Sequence, residues 1–65
     1  MTIKEARRLT VGDVVYRDIY LPGQPLKQAK GIVIGIKADS CRIQFKNEPA
    51  INFAHDQMTI IHRTP

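Results

Sequence analysis

The 65-residue chain has no tryptophan, one cysteine, two tyrosines and two phenylalanines. A single thiol, Cys41, excludes an intrachain disulfide. Cys41 with His55 and His62 falls short of the four ligands of a structural zinc site, so a metal staple is excluded as well. The core must therefore come from aliphatic side chains with Phe45, Phe53, Tyr16 and Tyr20. That core is thin for a chain near the lower size limit of independent folding, and packing into a homo-oligomer would compensate. No apolar run approaches the roughly 20 residues that span a bilayer, so no membrane partner is expected. Met1 to Arg8 lacks the apolar centre of a signal peptide. With the lone cysteine, this points to a reducing cytoplasm.

What is present bounds the partners. Ten Lys and Arg against six Asp and Glu give a net charge of +4, which favours nucleic acid or an acidic protein surface. A hydrophobic fraction of 43% lies well above a disordered composition. The expectation is a single domain over residues 1–65.

Thr2 to Glu5 carries the Thr-x-x-Glu spacing of a capping box, and Ile3, Ala6 and Leu9 fall roughly on one helical face. A short N-terminal helix follows, with an irregular lead-in strand as the alternative. Thr10 to Asp13 reads as a turn, and Val14 to Tyr20 has strand composition. Val15 and Ile19 share one face with Arg17. Val14, Tyr16 and Tyr20 share the other with Asp18. Leu21 to Ala29, with two prolines, is the longest loop.

Lys30 to Ile36 is the second strand. Its alternation places Ile32, Ile34 and Ile36 together, and hydrophobicity assigns that set to the core. Gly35 marks a bulge or sharp bend. The polar turn Lys37 to Ser40 leads into a third strand with Cys41, Ile43 and Phe45 inward and Arg42, Gln44 and Lys46 outward. Asn47 to Ala50 is a turn, Ile51 to Phe53 a short fourth strand, Ala54 to Gln57 a single 3-10 turn, and Met58 to Ile61 a closing strand.

This order of parts resembles the SH3-like small barrels, a group that includes KOW and Tudor domains, the small photosystem I accessory subunit and plasmid-type dihydrofolate reductase. The residues that carry the likeness are Gly12-Asp13-Val14-Val15, Gly31-Ile32-Val33-Ile34-Gly35-Ile36 and Ile43-Gln44-Phe45, over roughly Leu9 to Ile61. The likeness implies a mainly β, five-stranded antiparallel barrel over about 9–61. It carries fold and no function. The pore-forming Val-Gln-Ile-Tyr segment of that reductase has no counterpart here.

No arrangement of residues points to catalysis. Cys41 alternates with Ile43 and Phe45, which makes it a buried, inert thiol rather than a nucleophile. His55 and His62 read as surface histidines. No pair of carboxylates converges, and a single barrel of this size encloses no pocket of the roughly 300 Å³ typical of small-molecule sites. Neither enzyme activity, cofactor nor metal is expected. The chain reads instead as a binding module. Its candidate nucleic-acid contacts are Lys27, Lys30, Arg42 and Lys46, which would meet phosphates, with Tyr20 as a stacking surface. The other reading is a protein–protein module, an accessory subunit or small inhibitor, which would use Tyr16, Tyr20, Leu21 and Leu26.

Overall fold

The computed structural model describes residues 1–64. A short helix, α1 (Ile3–Ala6), precedes strands β1 (Val14–Ile19), β2 (Lys27–Ile36), β3 (Ser40–Phe45) and β4 (Ile51–Ala54). A 3-10 helix (His55–Ile60) then leads into β5 (Ile61–His62). The strands form one antiparallel sheet in the order β4-β3-β2-β1-β5. It curls into a half-barrel.

Local chemistry explains the ends of these elements. Thr2 accepts from the Glu5 amide and Glu5 accepts from the Thr2 amide, completing the capping box that starts α1. Gly12 takes a positive φ of 98°, which only glycine adopts at no steric cost. Asp13 accepts from the Thr10 amide at 2.9 Å, closing the turn that sends the chain into β1. The Gly12 amide then bonds the Val33 carbonyl and the Val33 amide bonds the Asp13 carbonyl, which extends the pairing of the first two strands.

The inner face holds Val15, Val33, Cys41, Ile43, Phe45 and Phe53, closed below by Ala6, Leu9, Met58 and Ile61. Phe45 is central to it. Its ring meets Phe53 edge-on, with centroids 6.2 Å apart, a favoured aromatic geometry. The guanidinium of half-buried Arg17 lies over the Phe45 ring, 5.3 Å from its centroid, within cation–π range. Gly31 pairs with Phe45 across the strands. A Cβ at Gly31 would lie 2.8 Å from two ring carbons of Phe45 and 2.9 Å from Ile43.

One expectation is overturned. Ile32, Ile34 and Ile36 are 47%, 45% and 43% exposed, and the buried residue of that strand is Val33. The bulge is the cause for Ile32 and Ile34, whereas Ile36 keeps its inward phase across from buried Cys41 and is exposed at the end of the strand. Ile36 pairs with Cys41, and an unbroken ladder from there would set Ile34 against Ile43 and Ile32 against Phe45, facing inward. The register shifts by one between Val33 and Gly35, so Val33 faces Ile43 and Gly31 faces Phe45 instead. A shift of one residue moves every following side chain to the other face.

Two boundaries also differ. The second strand begins at Lys27 rather than Lys30, because Gln28 and Lys27 pair with Asp18 and Ile19. The 3-10 turn ends at a kink at Met58, whose φ/ψ are not helical, as the sequence suggests, but a second short turn carries the helical segment to Ile60, and the closing strand is Ile61–His62. His55, Met58 and Ile61 are all buried.

Cys41 is fully buried, as its alternation predicts. Its thiol faces the Ala6 carbonyl at 3.9 Å, and burial raises its pKa. Native protein should therefore react with a neutral-pH thiol reagent far more slowly than urea-unfolded protein. Equal rates measured by absorbance would show that the third strand opens readily.

Candidate nucleic-acid interface

The outward face of the half-barrel is set by the same register. Val14 lies across from Ile32, and Ile32 across from Gln44. Tyr16 lies between Lys30 on one side and His62 on the other. Arg42 lies across from Asn52, whose Oδ1 accepts from its guanidinium at 3.4 Å. The centre of this face is apolar, from Val14, Ile32 and Ile34, and its flank is cationic, from Lys30, Arg42 and Lys46. Among the described residues none of these three cations is in an ion pair.

Lys30 in β2 and Lys46, in the turn after β3, flank the Gly31–Phe45 pair and line one shallow depression of about 480 Å³ with Ile32, Gln44, Phe45 and Asn47. Its rim is fixed by the turn after β3. The Gln44 amide nitrogen donates to the carbonyls of Phe45 and Glu48, and the Glu48 amide donates to the Phe45 carbonyl. Asn47 takes a φ of 62° there, a left-handed conformation that asparagine tolerates better than most residues.

Lys30, Arg42 and Lys46 are thus brought onto one face. Lys27 is not part of it, and Tyr20 reaches only its far end, through Asp18. Lys27 opens β2 across from Ile19, eight positions along the strand from Gly35, which lies across from Arg42; at about 3.3 Å per residue that is about 26 Å. Tyr20, 74% exposed, stands beside it at the end of the hairpin. Leu21 and Leu26 are exposed at the same tip. Of the apolar set Tyr16, Tyr20, Leu21 and Leu26, only Tyr16 lies within a strand of the sheet. The outward isoleucines, which form the middle of that face, carry no place in the sequence-based site because the alternation assigns them to the core.

The end of this face nearest the hairpin tip is held by Asp18. It accepts from Gln28 at 3.0 Å, meets His62 Nε2 at 2.8 Å and lies 3.5 Å from the Tyr20 hydroxyl. The Gln28 hydrogen bond, followed by that of His62, lowers the Asp18 pKa. Because the carboxyl loses its proton more readily in the folded chain, its contribution is complete above the ordinary aspartate value of about 3.9 and is lost as pH falls through the lowered folded value. Asp18→Asn should lower the urea midpoint at neutral pH and converge with wild type in strong acid. A constant difference across that range would assign the effect to packing.

His55 departs from the surface position expected of it. It is 8% exposed, and its Nε2 has no hydrogen-bond partner. Its amide bonds the Asp39 carbonyl at 2.9 Å, tying the 3-10 helix to the β2–β3 turn. Among the described residues no group of three or more His, Cys, Asp or Glu is placed to hold a metal ion. No helix among them is long and apolar enough to cross a membrane. No protein-family model matches the chain, and no curated protein and no solved structure is detectably similar to it.

Proposed function

We propose that this chain is a small non-catalytic module that binds nucleic acid, or a protein already on nucleic acid, through the outward face of its curled sheet. The observation that carries this reading is the placement of Lys30, Arg42 and Lys46 on one face, free of ion pairs among the described residues. Cations held apart from acids keep their full attraction for phosphates, and the net charge of +4 adds a long-range field of the same sign. Lys27 and Tyr20 extend the contact only to a strand long enough to reach the hairpin tip. The likeness to KOW and Tudor domains fits this reading at the level of fold, and a buried thiol suits a reducing cytoplasm.

A second reading has its own support. Tyr20, Leu21 and Leu26 expose apolar surface together at the end of the hairpin, and such a tip suits a protein contact, including one with an acidic surface or with a second copy. Salt separates the two. Titration of a labelled oligonucleotide with the protein at several salt concentrations should give an affinity that falls linearly on logarithmic axes. Absence of binding at low salt would remove the nucleic-acid reading and leave the tip as the contact.

A further inference from the structure

The geometry points to single-stranded rather than duplex nucleic acid as the occupant of the sheet face, an inference that rests on the reading above. The face is not uniformly basic. Ile32 and Ile34 are nearly half exposed between the cations, with Val14 across from Ile32 and the half-buried Tyr16 across from Lys30. A duplex presents phosphates outward and keeps its base faces stacked inside, so these apolar groups would gain nothing from it. A single strand offers sugar and base faces to Ile32 and Tyr16 while its phosphates reach Lys30, Lys46 and Arg42.

The depression between Lys30 and Lys46 fits this division. It is lined by the two lysines together with Ile32, Gln44, Phe45 and Asn47. Its volume, about 480 Å³, falls within the range of sites that hold small organic groups. Two cations lining one depression, neither in an ion pair among the described residues, favour an anion between them. The same charge argues against a second copy of this chain, since a two-fold contact would bring the cations of both copies together.

The test uses a labelled single strand and its matched duplex, read by fluorescence anisotropy with wild type and with Ile32→Thr/Ile34→Thr. Threonine keeps β-branching, so the strand is retained while the apolar face is reduced. The wild type should bind the single strand at least about tenfold more tightly than the duplex. The double variant should lose about tenfold for the single strand, from the apolar area no longer buried, with its salt slope and duplex affinity unchanged. The single variants repeat the comparison should the double variant not fold. Duplex binding as tight as single-strand binding, or an unchanged double variant, overturns the inference while leaving nucleic-acid binding in place. A peptide of alternating Glu and Leu bound more tightly than the single strand overturns it in favour of an acidic protein segment. Failure to bind either nucleic acid at low salt defeats the underlying reading.

Discussion

Gly31→Val is expected to leave the protein largely unfolded at room temperature. The position has an ordinary extended backbone, so the demand for glycine is one of space. A Cβ there would sit 2.8 Å from Cδ1 and Cε1 of Phe45 and 2.9 Å from Cγ2 of Ile43. Neither neighbour can retreat. Phe45 and Ile43 are buried, Phe53 stands edge-on to the ring, and Arg17 lies over it. Overpacking of this kind costs about 1–3 kcal/mol for small additions, and valine adds two further methyl groups to a site that already rejects one. A domain of this length has only about 3–10 kcal/mol of stability in all. Gly31→Ala should therefore lower the urea midpoint clearly and Gly31→Val should abolish the cooperative transition. Phe45→Leu should partly rescue Gly31→Ala, with a coupling of about 1 kcal/mol, because the two residues share one space. Strict additivity would mean that the Cβ finds room elsewhere.

The second large effect is on binding. Replacing Lys30, Arg42 and Lys46 together with glutamine should reduce the salt slope by about 2, from three phosphate contacts on a single strand. Raising salt fourfold would then weaken the variant about twentyfold less than it weakens wild type. Stability should hardly change, because these side chains are exposed and, among the described residues, make no ion pair. An unchanged slope would move the phosphate contacts to other basic residues, first to the N-terminal cluster of Lys4, Arg7 and Arg8.

The sheet was legible in the sequence because period-two alternation is a local property. Cys41, Ile43 and Phe45 reached the core as their pattern predicts, and the capping box of Thr2 and Glu5 set the start of the helix. The phase of the second strand was not legible from hydrophobicity. Ile32, Ile34 and Ile36 form the more apolar alternate set, yet Gly31 and Val33 face inward. That outcome depends on where the bulge falls, and a bulge anywhere between Val33 and Gly35 reverses every side chain before it. The clue was present in Gly31, since a residue packed under a buried phenyl ring must lack a side chain. Recognising it required knowing which residue faces it across the sheet.

The same error hid the middle of the candidate site. The cations Lys30, Arg42 and Lys46 follow from outward alternation, but the apolar strip between them consists of the isoleucines assigned to the core. The extent of the hairpin was hidden for a related reason. Pro22 and Pro25 mark a loop, and the pairing of Lys27 and Gln28 with Ile19 and Asp18 is a tertiary choice fixed in part by the Gln28–Asp18 hydrogen bond. Lys27 and Tyr20 therefore lie far from Arg42, although the sequence groups Lys27 with the other cations and Tyr20 as a stacking surface beside them.

The most direct test of the outward face as the binding surface is an amide chemical-shift titration of the isotope-labelled protein with a short single-stranded oligonucleotide. The account predicts that the largest shifts fall on Tyr16, Lys30, Ile32, Arg42, Gln44 and Lys46, with Val15, Val33 and Ile43 behind them changing little. Shifts confined to Tyr20, Leu21 and Leu26, or to Lys4, Arg7 and Arg8, would contradict it.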